Sequence, residues 1–150
     1  MAAPNHEPKT RLAACNCLAL RQAARHVTQF YDQALAPTGL RTTQFSVLAK
    51  LHHLGPTTIN DLAKSLVVDR TTLGRNILPL QRDGLIGAVR GTADRRSKEL
   101  QLTKAGEGRL RTATKLWAQA QERFEAVFGA ARASALRAAL HEISAKAFPV

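Results

Sequence analysis

The sequence has few aromatic residues and few cysteines, and both shortages narrow the fold class. Aromatic residues make up 5% of the 150 residues, whereas hydrophobic residues reach 45%. This balance suffices for a hydrophobic core and favours helices over a β-sandwich. Cys15 and Cys17 are the two cysteines, too few for a disulfide framework, so packing alone must hold the fold. One compact subunit spanning residues 1–150 is expected.

The sequence also lacks long apolar runs and the motifs of common enzymes. No run approaches the roughly 18 apolar residues that a membrane span needs. The polar segment Met1–Thr10 contains no hydrophobic stretch of a secretion signal, so we expect a short disordered arm, a cytoplasmic protein and no membrane partner. A Gly-rich phosphate loop, a nucleophile elbow and a carboxylate cluster are all absent, so we do not expect an enzyme. Without Cys-x-x-Cys or His-x-x-x-His spacing, we expect neither a metal site nor a cofactor.

Positive charge, in contrast, is abundant and unevenly distributed. The formal net charge is +11, which in a protein usually indicates a nucleic acid or an anionic membrane surface as partner. Residues 70–98 contain seven Lys or Arg against two Asp or Glu, a net charge of +5 in 29 residues. We therefore expect a polyanion to bind this middle segment.

The spacing of apolar residues predicts helices on both sides of the basic segment. Recurrence at helical spacing predicts helices over 12–35 and 43–53. Two short helices follow, with Thr58 and Asp69 as N-caps, and the second runs to about Arg82. Because about four residues join these two helices, the pattern indicates a helix-turn-helix.

A hairpin and two further helices are predicted after the helix-turn-helix. Leu85–Arg90 and Ser97–Leu102 are short β-compatible runs separated by a polar, charged tip. We call this predicted hairpin the wing. Thr103 then caps a long helix that ends at Gly129, and a final helix follows.

Together these elements predict a mainly α fold with a small β-hairpin wing. We assign residues 43–102 to a winged helix-turn-helix region that binds DNA, and residues 12–36 and 104–148 to a helical dimerisation region. The first and last helices carry apolar stripes at helical spacing. We expect them to pack together and against a second copy of the chain.

The helix predicted over 70–82 has the composition of a helix that enters the major groove. Projected on a helical wheel, Leu73, Ile77 and Leu80 lie within about 60° of each other and form the buried face. Thr71, Arg75 and Arg82 lie opposite, with Leu78 near them. Arginine pairs with two acceptors of guanine, and threonine contacts the thymine methyl group. The predicted DNA contacts from this helix are Arg70, Thr71, Thr72, Arg75, Asn76 and Arg82.

The wing supplies the remaining basic residues of the segment. Arg95 and Arg96 lie in its tip, and Arg90 and Lys98 lie on its strands. Cations on such a hairpin reach the minor groove or the phosphates, so all four are predicted DNA contacts. Asp94 would repel DNA, and we therefore predict that it shapes the wing, either by pairing with Arg96 or by capping the turn.

The same residues resemble the MarR family of bacterial regulators. The similar stretches are 68–86 (VDRTTLGRNILPLQRDGLI), 94–98 (DRRSK) and 102–106 (LTKAG), and the resemblance extends over roughly 12–147. It implies a triangular homodimer with the first and last helices at the interface. Two-fold symmetry implies a pseudo-palindromic site with half-sites about 10 base pairs apart. Family members usually repress, and many release DNA when a ligand or an oxidant reaches the junction of the two regions.

The first helix is similar to that of the organic-hydroperoxide-sensing branch of this family. In that branch a cysteine at the position of Cys17 is oxidised, and tyrosines hydrogen-bond its thiolate. Here Arg21 and Thr42 occupy those tyrosine positions, although the charge of Arg21 would still favour a thiolate. Three interpretations of Cys17 stay open: a core residue, a redox sensor or a metal ligand. In a regular helix Cys15 and Cys17 point about 200° apart, which prevents a bridge between them but not one to a second subunit.

Trp117, on the apolar stripe of the long helix, has two interpretations. It is a core or interface residue, or it lines a small-molecule pocket near the first helix, where Arg21 would attract an aromatic acid. The candidate residues for ligand or redox sensing are Cys15, Cys17, Arg21 and Trp117.

The function predicted from the sequence is that of a homodimeric, sequence-specific DNA-binding transcription regulator. We expect a repressor that a small aromatic ligand or oxidation releases from double-stranded DNA. Two alternatives stay open: an architectural DNA binder without sequence preference, and a basic adaptor for an acidic protein.

Overall fold

The computed structural model describes residues 8–149, and within this range the chain is mostly helical. It forms seven α-helices, one 3₁₀ turn and three short strands. In chain order these are α1 (Pro8–Ala13), α2 (Asn16–Leu35), the 3₁₀ turn (Ala36–Thr38), α3 (Thr42–Leu54), β1 (Thr57–Thr58), α4 (Ile59–Leu66), α5 (Arg70–Arg82), β2 (Ile86–Arg90), β3 (Lys98–Leu102), α6 (Lys104–Phe128) and α7 (Ala130–Ala145).

Three of these helices begin at the side-chain caps that the sequence predicted. In each case a side-chain oxygen accepts a hydrogen bond from a backbone N–H of the first turn, which otherwise has no partner inside the helix. The capping pairs are Thr58 Oγ1 with the N–H of Asp61 (3.2 Å), Asp69 Oδ1 with that of Thr72 (2.8 Å) and Thr103 Oγ1 with that of Gly106 (3.0 Å). The predicted starts of α4, α5 and α6 are thereby confirmed.

The N-terminal part of the chain differs from the prediction. The helix expected over 12–35 is two helices, because Cys15 has an extended backbone and its Sγ caps α2 by accepting from the N–H of Leu18 at 3.4 Å. The disordered arm expected over Met1–Thr10 is wrong from Pro8 onward, where the fixed φ of proline suits the start of α1. The rest of that arm lies outside the described residues.

The three strands form one antiparallel sheet in the order β1-β3-β2. In the predicted wing, Ile86 lies opposite Leu102 and Arg90 opposite Lys98. Thr57 of β1 pairs with Leu100, on the other side of β3. Strand β1 was not predicted from the sequence, because two residues are too few to show an alternating pattern.

The main core lies where α3, α4, α5 and α6 meet the sheet. Leu48, Leu62 and Leu73 are completely buried there. The start of α6 lies so close to the sheet that a Cβ added to Gly106 would come within 2.0 Å of the carbonyl oxygen of Leu85. Glycine has a lower helix propensity than other residues, but at this position it allows α6 to pack closely against the sheet.

Of the remaining helices, α2 and α7 pack against α6 and share a polar network with it. The Tyr31 hydroxyl on α2 donates to Oε1 of Gln121 on α6 at 2.6 Å. Gln121 in turn donates through Nε2 to Oε1 of Glu125 at 3.1 Å, and Arg137 of α7 pairs with the same oxygen at 3.1 Å. Side chains on three helices are thus connected.

Three hydrogen bonds fix the junction between these helices and the start of the winged part of the chain. Asp32 of α2 accepts at Oδ1 from both the N–H and the hydroxyl of Thr42, each at 2.7 Å, and so holds the start of α3. Arg109 of α6 donates through Nη1 to the carbonyl oxygen of Thr38 at 2.8 Å. The junction is therefore fixed by a carboxylate on one side and a guanidinium on the other.

Candidate nucleic-acid interface

The helix α5 has one face in the core and the opposite face in solvent, as its sequence predicted. Leu73, Ile77 and Leu80 are at most 3% exposed. The opposite face carries Thr71, Arg75 and Arg82, all exposed. Because their spacing of four and seven residues returns to the same side of a helix, these three side chains form one outward stripe. A forked cation and a hydroxyl group on such a stripe can reach base edges in a major groove.

The other predicted contacts of α5 lie at its start and along its flank. Arg70 is exposed in the first turn, whereas Asn76 is half-buried and lies beside the stripe. Thr72 is exposed, but its hydroxyl donates to Oδ2 of Asp69 at 2.6 Å and thus contributes to the cap. The hydrogen bonds from the Thr72 hydroxyl and the Thr72 N–H lower the pKa of Asp69. Asp69 therefore stays ionised at neutral pH and holds the start of α5 in place.

The tip of the wing is shaped by Asp94. Its Oδ1 accepts a hydrogen bond from the backbone N–H of Arg96 at 2.9 Å, and its carbonyl oxygen accepts from the N–H and the hydroxyl of Ser97. The side chain of Arg96 makes no ion pair with Asp94 in the described part of the chain. Of the two predicted roles for Asp94, the structure thus shows capping of the turn.

Gly91 closes the base of this tip. Its N–H donates to the carbonyl oxygen of Ser97 at 2.9 Å. A Cβ at this position would lie 2.1 Å from Oγ of Ser97 and 2.6 Å from the carbonyl oxygen of Asp94, so a larger residue would displace the turn. The tip is therefore a tight, hydrogen-bonded structure that holds Arg95 and Arg96 out in solvent.

Within the part of the chain that the structure describes, the basic residues of the winged region form no ion pairs. Among the side chains described, those of residues 11–149, the two ion pairs are Arg137 with Glu125, between α7 and α6, and Lys146 with Glu142, at the end of α7. Arg90 and Lys98 are exposed and lie directly opposite each other on the wing, an arrangement of like charges that weakens a strand pair by itself. A polyanion bound along this surface would relieve the repulsion and neutralise the unpaired cations.

The candidate sensing residues do not form one site. Cys17 is exposed near the start of α2, so its interpretation as a core residue is wrong within the subunit. Cys15 is half-buried and caps α2, so the angle expected for two residues inside one helix does not apply. Arg21 is exposed, whereas Trp117 stacks on Phe45 of α3 with ring centroids 6.1 Å apart and belongs to the core packing.

Two apolar clefts in the helical part are lined by residues that the sequence analysis did not select. One, of about 410 Å³, lies between α2, α6 and α7, and Leu20, Leu136 and Leu140 line it. The other, of about 690 Å³, lies between α2 and α6. Its wall contains three phenylalanines and one arginine, and the guanidinium of the arginine lies 5.5 Å from the centroid of one ring. These residues are Phe30, Phe124, Phe128 and Arg123. The sequence signal for this cleft was the apolar stripe of the long helix, α6. A helix that packs into a core would show the same stripe.

Over residues 8–149, no three histidine, cysteine or acidic side chains come together in a way that could hold a metal ion. Over the same residues, every helix is too short or too polar to cross a membrane.

Comparison with known proteins gives consistent matches. The model of the MarR family matches residues 40–98. The transcriptional regulator MosR of M. tuberculosis, solved in complex with DNA, is 38% identical, with a TM-score of 0.77 over 87% of this chain and 93% of MosR. The transcriptional repressor CouR, bound to a 23-mer DNA duplex, is 30% identical, with a TM-score of 0.80 over 89% of this chain and 94% of CouR.

Relatives with curated descriptions match over a shorter length. The transcriptional activatory protein BadR of Rhodopseudomonas palustris is 36% identical over 92 residues, which are 58% of this chain and 51% of BadR. The match to a second curated relative spans 64% of that protein. This chain therefore spans less than two thirds of the length of these two relatives.

The winged helix-turn-helix and the solved relatives define a DNA-binding transcription regulator. Its likeness to MosR covers nearly the whole of both chains. The chain belongs to the MarR family, whose members are transcriptional regulators and not enzymes, as the sequence predicted.

Proposed function

We propose that this chain acts as a homodimeric repressor that binds an inverted-repeat operator in the cytoplasm. In this proposal α5 of each subunit lies in a major groove and each wing lies along the neighbouring phosphates or minor groove. The observation that carries it is the outward stripe of α5 beside a wing whose cations form no ion pair with any side chain that the structure describes. Residues 43–102 would form the DNA-binding region.

Each predicted contact has a role that follows from its chemistry. Arg75 and Arg82 would pair with guanine through two hydrogen bonds, and Thr71 would contact a neighbouring base. Arg70, at the start of the helix, would contact phosphate. Thr72 would touch the DNA through its methyl group only, because its N–H and its hydroxyl both donate to Asp69. The residues assigned to phosphate or minor-groove contact on the wing are Arg90, Arg95, Arg96 and Lys98. Asn76 would contribute from the flank of α5.

The homodimer is supported by apolar side chains that α2 and α7 leave in solvent. Leu20, Leu136 and Ile143 are each about 40% exposed, and an apolar cleft lies between their helices. Exposed apolar side chains beside an apolar cleft are typical of an interface. We therefore assign residues 12–36 and 104–148 to dimerisation. Leu136→Asp should shift the mass measured by light scattering towards the monomer, whereas Leu54→Asp, at the end of α3, should not.

Repression is the direction we propose for the regulatory effect. CouR, the repressor among the relatives, matches over 94% of its chain, whereas the activator BadR matches over 51% of its length. A dimer bound over a promoter would block polymerase by occupying the same DNA. In a reporter strain that carries the selected operator between promoter and gene, expression of the chain should lower the signal. A raised signal would contradict repression and leave DNA binding intact.

The cleft between α2 and α6 is the proposed site for a small aromatic effector. Its phenylalanine walls would stack on an aromatic ring, and Arg123 would pair with a carboxylate or phosphate. A solved structure of CouR is bound to p-coumaroyl-CoA, which supports an aromatic acyl compound as the probe. Addition of p-coumarate or p-coumaroyl-CoA should release DNA from the wild type and not from Phe124→Ala. Release from both proteins would place the effector elsewhere.

Oxidation of Cys17 is the second proposed route of release, supported by its exposure near the start of α2. Peroxide should reduce DNA affinity in the wild type, and Cys17→Ser should abolish that response. Cys15→Ser is the matched variant, because it changes the neighbouring thiol and keeps a side-chain acceptor at the cap. An unchanged affinity of oxidised wild type would exclude redox sensing by either cysteine.

Selection of bound sequences from random duplexes tests the proposal as a whole. Recovery of an inverted repeat with half-sites about 10 base pairs apart would support the regulator. Retention without a shared motif would indicate the architectural alternative. If no duplex is retained even at low salt, the result would favour the basic adaptor, since phosphate contacts alone give measurable binding under that condition.

A further inference from the structure

Leu78 is a large apolar side chain on the outward stripe of α5. It is 66% exposed, and it lies three residues after Arg75 and four before Arg82, so the three side chains share one side of the helix. Its neighbours in the core, Ile77 and Leu80, point the other way and are buried. Leu78 is therefore the apolar member of a face whose other side chains are polar or cationic.

Core packing does not account for a leucine at this position. Leu78 is absent from the cluster of buried residues and from the partly buried side chains that pack on it. A single exposed leucine has no significance by itself, since many surface residues are apolar. The position of Leu78 matters because it lies between two outward arginines. If those arginines contact DNA, Leu78 contacts the same DNA surface.

We infer that Leu78 determines sequence specificity by contacting the C5-methyl group of a thymine. This inference rests on the proposed function, since it requires α5 to lie in a major groove. The thymine methyl is the apolar group that a base pair presents there, and apolar side chains are its usual partners. Leu78 lies about 4.5 Å along the helix axis from Arg75, slightly more than one base-pair rise of about 3.4 Å. The thymine would therefore lie within two base pairs of the guanine that Arg75 contacts.

Replacement of thymidine by deoxyuridine tests this inference, because it removes the methyl group and keeps every hydrogen-bonding atom. Each thymidine of the duplex recovered by selection is replaced in turn, and binding of the full-length chain is measured by fluorescence anisotropy. At one thymidine per half-site, the wild type should bind the deoxyuridine duplex about fourfold more weakly, the change expected for one buried methyl group. Leu78→Ala should bind both duplexes equally.

Leu54→Ala is the matched control, since Leu54 is 46% exposed at the end of α3 and lies off the stripe. It should retain the fourfold preference for thymidine, and thermal unfolding of Leu78→Ala should match that of the wild type. If replacement of every thymidine leaves the affinity unchanged, or if Leu78→Ala still prefers thymidine over deoxyuridine, the inference about Leu78 is wrong. The proposed function as a DNA-binding regulator would be unaffected by that result. If selection recovers no inverted repeat, the proposed function fails, and this inference fails with it.

Discussion

The carboxylate Oδ1 of Asp94 accepts a hydrogen bond from the backbone N–H of Arg96 at 2.9 Å. This bond fixes the turn of the wing through the backbone and leaves the guanidinium of Arg96 free. An acidic residue in a surface proposed to bind DNA thus has a structural explanation. Its negative charge weakens the attraction to DNA, but its hydrogen bond holds the turn that carries Arg95 and Arg96.

Two substitutions at Asp94 separate its charge from its role as an acceptor. Asp94→Ala removes both and should loosen the wing, with DNA affinity reduced by up to about tenfold, the equivalent of one hydrogen bond of roughly 1.4 kcal/mol. Asp94→Asn keeps a side-chain acceptor and removes the negative charge, so it should bind DNA at least as tightly as the wild type. Anisotropy with the selected duplex measures both, and equal affinity of the two variants would contradict the capping role.

Arg96→Ala should weaken binding to all DNA sequences without changing base preference. Loss of one phosphate contact should lower the slope of log affinity against log salt concentration by about 1. Lys115→Ala is the control, because it removes the same charge from an exposed position on α6. A slope that stays the same in Arg96→Ala would exclude a phosphate contact by this side chain.

Two glycines of α6 should respond oppositely to alanine. A Cβ at Gly106 would lie 2.0 Å from the carbonyl oxygen of Leu85, so Gly106→Ala should destabilise the fold by about 1–3 kcal/mol or more. No atom outside the helix backbone lies within 4 Å of a Cβ at Gly108, so Gly108→Ala should stabilise it by about 0.5–1 kcal/mol. Denaturant unfolding provides both values, and similar values for the two variants would refute the close contact at Gly106.

Tyr31 is the single tyrosine of the chain, so its ionisation can be followed by ultraviolet absorbance. Burial raises its pKa above the ordinary value of 10.0, and the nearby Glu125 raises the pKa further against the opposing effect of Arg137. The stability that this neutral phenol contributes is therefore complete below about pH 10 and is lost as pH rises through the raised pKa. The folded chain should titrate above 10 and the unfolded chain near 10; a folded value at or below 10 would contradict this environment.

The fold was predictable from the sequence wherever the determinants are local. A cap such as Thr58 needs only residues within one turn, and the buried stripe of α5 follows from helical periodicity. The break at Cys15 was missed because a thiol is an uncommon cap. The bond between Asp32 and Thr42 was missed because the two residues are ten positions apart and meet only when α2 and α3 pack.

The candidate site also contains residues whose placement follows from local sequence and residues whose placement depends on tertiary packing. Thr71, Arg75 and Arg82 were predicted to face outward because the core side of α5 is obvious from its leucines. In contrast, the sequence left two interpretations of Trp117 open, a core or interface residue and a residue lining a pocket near Arg21. Its ring packs on Phe45, as the core interpretation predicted, but the partner was not predictable because the contact between α3 and α6 is decided by tertiary packing that no local pattern encodes.

The proposed binding to DNA depends most on the outward face of α5, and the affinity of Arg75→Ala for the selected duplex tests that face directly. We predict a loss of about 1–3 kcal/mol in binding free energy and a relaxed preference at one base position per half-site. Lys115→Ala should show neither the relaxed preference nor a loss of that size. If Arg75→Ala binds with the affinity and base preference of the wild type, this face of α5 does not contact DNA.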